Sequence, residues 1–303
     1  MIHGTHNALE DSRNEHILIS INDELFHRNE AKISVFDAGY LVGDGIWEGL
    51  RLHQGRLVFW DDHMDRLYAG AKTIGLDIGC KREDLLKSVQ HVLHANNMVD
   101  GVHVRIMVTR GIKKTPSQDP RLTISGPNIV IIAEYKEANP KSSNKGITLF
   151  TSTIRRGSPD YLDPRLNCHS KIHEVQALIQ ALEAGADEAL MLDIQGFVST
   201  CNATNFFIVK NQEVWTSTGN YCIKGITRAK VIDICKKNKI TCKEKNFSLF
   251  EVYSADEAFV TGSFGGLTPV TKIDGRIISE QVPMPRTKQL QELYKARIKL
   301  EMS

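Results

Sequence analysis

Lys224-Gly225-Ile226-Thr227-Arg228 stands directly before Ala229-Lys230-Val231-Ile232-Asp233-Ile234-Cys235, where apolar residues recur at helical spacing. A glycine turn that feeds a helix leaves backbone N–H groups without carbonyl partners at the positive end of the helix dipole, and Thr227 adds a hydroxyl donor. Such a turn can seat a phosphate, and it is also an ordinary helix entrance. Around it, strand-like runs at 147–153, 188–193, 205–210 and 257–261 alternate with helical patterns at 170–184, 228–238 and 284–299. That alternation predicts an α/β (α+β) domain with a mixed sheet over 147–303. Thr261-Gly262-Ser263, which closes the last of these strands, is a second turn of small residues that lets backbone approach an anion closely. Two such turns in one half favour a single shared phosphate.

The first half has a different rhythm. A strand at 17–21 is followed by a Gly/Asp-rich loop at 37–45, a strand around 48–53, and a hairpin turn at Gln54-Gly55 leading to 57–60. Asp61 is placed to cap a helix through 74, and 81–96 is a second helix. Strands at 102–109 and 128–134 flank a polar, proline-bearing loop at 113–126. Residues 1–135 thus read as a small N-terminal α/β domain. Residues 136–146, with Pro140 and Ser142-Ser143-Asn144, read as the linker to the larger C-terminal domain.

Composition narrows the function classes. The chain has 303 residues, 41% hydrophobic and 24% charged, and a net charge of +2. Near-balanced charge gives no reason to expect nucleic acid or an anionic membrane as partner. No apolar run approaches the roughly 20 residues that span a bilayer, and the polar N-terminal arm predicts a cytoplasmic protein. The six cysteines form no C-x-x-C pair and read as reduced thiols with no metal site.

A longer set of motifs falls in a familiar order. It comprises Asp37-Ala-Gly-Tyr-Leu-Val-Gly-Asp-Gly-Ile-Trp-Glu-Gly-Leu-Arg51, His63-Met-Asp-Arg66-Leu, Asp163-Pro-Arg165, Ala186-Asp-Glu-Ala-Leu190, Gly196-Phe-Val-Ser199, Asn205-Phe-Phe207, Gly225-Ile-Thr-Arg228 and Thr268-Pro-Val270. Over about residues 17–275 the chain resembles the class IV aminotransferase superfamily, which holds the branched-chain aminotransferases, D-amino acid aminotransferases and aminodeoxychorismate lyases. The resemblance implies pyridoxal 5′-phosphate as cofactor and a two-domain architecture of fold type IV. It also implies a homodimer, and an amino acid or amine with a 2-oxo acid as substrates. By position, Arg66 matches the phosphate-binding arginine, Ile226 and Thr227 match the backbone and hydroxyl donors, and Ser263 matches a further donor. Arg105 matches an arginine that holds the substrate carboxylate, a task suited to a guanidinium fork. Arg110 is a second candidate carboxylate ligand. Trp47 and Tyr40 are candidates for an apolar wall of the pocket, or for core.

Two positions depart from the pattern. The family's lysine, which forms a Schiff base with the cofactor, falls on Asn167 here, and an amide cannot supply that amine. Lys171 stands four residues on, where branched-chain enzymes carry a tyrosine. If 170 onward is helical, 167 and 171 share a face about 6 Å apart, and Lys171 is expected to replace the missing amine. Thr200 stands where relatives commonly place a glutamate beside the pyridine nitrogen, and a hydroxyl cannot supply that charge. The leading expectation is an aminotransferase with a relocated lysine. Thr200 keeps open a lyase of the aminodeoxychorismate or elimination type. Asn167 keeps open a protein that binds pyridoxal phosphate, or another phosphate ligand, without a covalent bond.

Overall fold

A computed structural model describes residues 4–6, 8–138, 145–279 and 284–302. Most of the expected linker, 139–144, lies outside them.

The first half builds a six-stranded antiparallel sheet from β1 (Leu18–Ile21), β2 (Glu24–His27), β3 (Gly45–His53), β4 (Arg56–Leu57), β5 (Val102–Thr109) and β6 (Asn128–Tyr135). The strand order is β2-β1-β6-β5-β3-β4. Three helices accompany it: α1 (Ala38–Val42), α2 (Trp60–Thr73) and α3 (Arg82–Ala95). Met64 and Leu67 of α2 and Leu85, Val89 and Val92 of α3 bury against Leu50, Leu52, Val104 and Ile106 of the sheet. Strand period and helix period therefore converge on one core. Gln54 and Gly55 take positive φ and form the expected hairpin turn. The cap of α2 differs from the reading at Asp61. The N-cap is Phe59, in the left-handed region and without a side-chain bond, and Asp61 lies in the first turn. Strand β4 ends at Leu57, so the chain enters the helix at Trp60, ahead of Asp61. Asp61 there still faces the positive end of the helix dipole.

The second half carries a nine-stranded mixed sheet. Its strands are β7 (Ile147–Thr151), β8 (Glu188–Leu192), β9 (Val198–Cys201), β10 (Asn205–Lys210), β11 (Glu213–Thr216), β12 (Cys242–Glu244), β13 (Glu257–Gly262), β14 (Gly266–Ile273) and β15 (Arg276–Ile277). The helices are α4 (Ile172–Glu183), α5 (Ile226–Lys237), α6 (Leu249–Tyr253) and α7 (Pro285–Met302). Strand β10, Asn-Phe-Phe-Ile-Val-Lys, is apolar on both faces because both are covered. Phe206 and Ile208 pack in one cluster with Val252 of α6. Phe207 and Val209 pack on the other side with Val231 and Ile234 of α5 and Leu290 of α7. Smaller residues on α4, Ala177 and Ala181, let that helix sit close to Ala189 and Met191. The mixed α/β class expected from the sequence is the class observed. Among the described residues no helix is long and apolar enough to cross a membrane.

One local expectation fails. Helix α4 begins at Ile172 with Lys171 at its N-cap, so 167–170 are not helical. They run strand-like along β3 instead. Cys168 bridges to Ile46, Trp47 N donates to Asn167 O at 3.0 Å, and His169 N donates to Gly45 O at 2.9 Å. Asn167 and Lys171 therefore do not share a helical face, although both reach the same cavity.

Candidate active site

A cavity of about 360 Å³ opens between the two sheets, within the range of small-molecule sites. At one end lie the two small-residue turns. Gly225 is the N-cap of α5, so Ile226 and Thr227 present first-turn N–H groups that have no carbonyl partner inside the helix. A Cβ at 225 would lie 2.1 Å from Asn205 Oδ1, so any residue but glycine displaces that side chain. Asn205 is itself fixed, its Nδ2 donating to Ile223 O at 2.9 Å. Across from this helix start, the end of β13 and the turn after it bring Thr261 and Ser263 to the same cavity. The buried Thr261 hydroxyl has no hydrogen-bond partner among the described residues.

Arg66, from α2, lines the same cavity. Its Nε and Nη2 each donate to Glu48 at 2.7 Å, and Glu48 also takes His63 Nδ1 at 2.7 Å. Burial alone would raise the Glu48 carboxyl; Arg66 and His63 together outweigh it and hold it below the usual carboxylate range. The fork therefore aims Arg66 by two of its nitrogens. Its Nη1 makes only a long contact of 3.4 Å to Lys224 O, beside the α5 turn, and is available to an anion there.

Lys171 faces the cavity from the start of α4. Burial lowers its ammonium below the ordinary value, which favours the neutral nucleophile, while Glu174, with Oε1 3.7 Å from Nζ, resists that shift. Glu174 is anchored by Arg156 Nη1 at 2.7 Å. Although burial would raise its carboxyl, His173, Lys171 and Arg156 bring it down to about 2. Asn167 donates from Nδ2 to Trp47 O at 2.6 Å, and its buried Oδ1 has no hydrogen-bond partner among the described residues. Thr200 gives its hydroxyl proton to Thr204 O at 2.7 Å, so toward the cavity it offers lone pairs and no charge.

At the other end Arg105 lies over the ring of Trp47, with Cζ 4.2 Å from the ring centroid. Lys136 and His103 line the cavity beside it. His103 is pushed down to about 3 by burial and by Lys136, Arg105 and Arg51, and is therefore neutral at pH 7. This end is electropositive. Two other candidates stand elsewhere. Arg110 is committed to Asp44, at 2.6 and 3.0 Å, and to the carbonyls of Ile74 and Gly75. Tyr40 is 71% exposed. Neither is among the residues that line the cavity. Sequence reasoning missed Glu48, Arg156 and Glu174. The one available signal was that Glu174 lies three residues after Lys171, on the same side of a helix start.

The family model described as Amino-transferase class IV matches residues 45–273. Branched-chain-amino-acid aminotransferase-like protein 2 of Arabidopsis thaliana is 40% identical over 289 residues, 95% of this chain and 51% of that protein. The chain thus spans about half the length of that relative. A putative branched-chain-amino-acid aminotransferase of Methanocaldococcus jannaschii is 38% identical over 91% of this chain and 95% of its own length. D-alanine aminotransferase of Listeria innocua is 32% identical over 91% and 94%. Among solved structures, a branched-chain aminotransferase of Thermoproteus uzoniensis with norvaline superposes with a TM-score of 0.84 at 27% identity, covering 93% of this chain and 95% of that one. The T.th. branched-chain amino acid aminotransferase with pyridoxamine 5′-phosphate gives 0.86 at 26% identity, covering 93% and 94%.

Proposed function

The chain belongs to the class IV aminotransferase family, and on that premise we propose that it moves an amino group between an α-amino acid and a 2-oxo acid with pyridoxal 5′-phosphate in the cavity between its sheets. The observation that carries this reading is the convergence of four things on one cavity: the α5 start, the turn at Ser263, Arg66 and the half-buried Lys171. The donor set suits a phosphate dianion, with amides and a hydroxyl from Ile226 and Thr227, a hydroxyl from Ser263, and the free edge of the Arg66 guanidinium. When bound, the cofactor supplies an electron-poor ring that accepts the electron pair released at the amino acid's α-carbon.

The chain's own groups do the rest. Lys171 Nζ, at the start of α4, would supply the amine for the cofactor's aldehyde and would carry the α-carbon proton. Arg105 holds the substrate carboxylate, with Trp47 as the wall beneath it. Thr200, whose hydroxyl proton goes to Thr204 O, would offer the pyridine nitrogen a lone pair and no charge in place of a carboxylate. Transfer is preferred to the lyase alternative because the relatives named above are aminotransferases.

Residues 1–135 form the small domain and 147–303 the cofactor domain. A second copy of the chain covers α4, whose outward face is apolar: Ile172, Val175, Ile179 and Leu182 are 68, 48, 48 and 50% exposed on one helical stripe. Six free thiols are in keeping with a cytoplasmic setting.

The test is borohydride reduction of the loaded protein followed by peptide mapping. The adduct is expected on Lys171, absent in Lys171→Ala and retained in Asn167→Ala. An adduct on another lysine would remove the relocated-lysine reading. No adduct in the wild-type chain would favour non-covalent binding.

A further inference from the structure

The C-terminal helix α7 is held against both phosphate turns. Glu257, buried on β13, caps its start by accepting from the N–H groups of Arg286 and Thr287 and from Thr287 Oγ1, each at 2.8 Å. One turn further on, Gln291 Nε2 donates to Leu267 O at 2.9 Å, just past the Ser263 turn. Beyond that, Tyr294 places its OH 3.3 Å from Thr227 Oγ1, with both residues buried. Tyr294 also lines a second cavity, of about 560 Å³, which shares Thr227 and Ser263 with the first. Its ring therefore stands behind the cup and packs on Phe59, with centroids 6.2 Å apart.

We infer that Tyr294 is a positioning residue for the cofactor phosphate, acting by giving its hydroxyl proton to Thr227 Oγ1. This rests on the reading of the cavity as a pyridoxal phosphate site. Each of the two hydroxyls carries one proton, and without an anion either can donate to the other. A phosphate dianion can only accept, so Thr227 must turn its proton to the phosphate. Its oxygen is then free to accept, and Tyr294 is the donor at hand. The chain Tyr294 to Thr227 to phosphate then runs in one direction, each bond polarising the next. Burial raises the Tyr294 hydroxyl above its ordinary value, which keeps the proton in place at working pH.

The experiment compares binding of pyridoxal 5′-phosphate and of pyridoxal, which lacks the phosphate, to the chain freed of cofactor by dialysis against a competing amine. Tyr294→Phe keeps the ring and removes the proton. It is expected to weaken pyridoxal phosphate binding about five-fold with pyridoxal binding unchanged, while the unliganded melting temperature falls by about 2 °C at most, because the Thr227–Tyr294 contact is present there as well. In a Thr227→Val background the same substitution should have no effect on pyridoxal phosphate affinity. Tyr294→Phe binding within two-fold of wild type overturns the inference. So does an equal loss for both ligands, or an undiminished loss in the Thr227→Val background. Failure of the wild-type chain to bind pyridoxal phosphate at all would instead remove the reading on which it rests.

Discussion

Replacing Glu174 with Gln tests the electrostatics around Lys171 with a number. The carboxylate lies 2.7 Å from Arg156 Nη1 and 3.7 Å from Lys171 Nζ, and its carboxyl is held at about 2 against an ordinary value of 4.5. A shift of that size corresponds to roughly 3 kcal/mol of preference for the ionised, folded state. Because the folded value is depressed, this stability is present above the unfolded value and is lost as pH falls through the window from 4.5 toward 2. Glu174→Gln should therefore destabilise the chain by roughly 3 kcal/mol near pH 5.5. The gap to wild type should narrow by about 1.3 kcal/mol by pH 3.5, where the unfolded carboxyl is mostly protonated and the folded one is not. Urea denaturation at pH 5.5, 4.5 and 3.5 measures this. In the same variant Lys171 loses its anionic neighbour. Its ammonium should then titrate at lower pH, read as a faster amine-acylation rate at pH 8. A wild-type-to-variant gap that stays constant from pH 5.5 to 3.5 would refute the assignment of Glu174 as an ionised partner.

Two further outcomes follow from the geometry. Gly225→Ala puts a methyl group 2.1 Å from Asn205 Oδ1, so Asn205 must give up its bond to Ile223. A loss of roughly 1 to 3 kcal/mol in thermal unfolding is expected, together with weaker pyridoxal phosphate binding, while Gly126→Ala, with nothing within 4 Å of its added Cβ, serves as a neutral control. Ile179→Lys with Leu182→Lys should convert a dimer into a folded monomer in sedimentation; a wild-type monomer, or a double variant that stays dimeric, would contradict the covered-helix reading.

The sequence was most informative where local chemistry and tertiary packing agree. The turn before 226, the apolar run of β10 and the hairpin at Gln54-Gly55 each carry their structural reason within a few residues. Segment 167–170 shows the opposite case. Nothing in Asn-Cys-His-Ser forbids helix, and its extended course comes from pairing with β3, about 120 positions away. Arg110 was offered to the substrate because its partner depends on strand register. Once Gly45 is paired with Thr109, Asp44 falls opposite Arg110 and takes its guanidinium. The same holds for Glu48 beneath Arg66 and for Arg156 beneath Glu174. A buried charge announces itself in sequence only as a charged letter, and its role appears when another element is laid over it. Short strands such as β9, β11 and β12 were unread for a related reason: three or four residues hold too little periodicity to separate strand from turn.

The segment ahead of Lys171 is bound to the first sheet, while the helix that follows packs on the second. In kinetic terms, the Asn167–Trp47 contact closes a loop of 120 residues and the Arg66–Lys224 contact one of 158, and contacts of such sequence separation form late. The two small-residue turns, joined through the pairing of β10 with β13, can be in place while Arg66 and Lys171 are still unplaced. On the function proposed above, a chain caught part-way through folding would then offer a phosphate backbone amides and hydroxyls without the guanidinium, and would have no amine to offer an aldehyde.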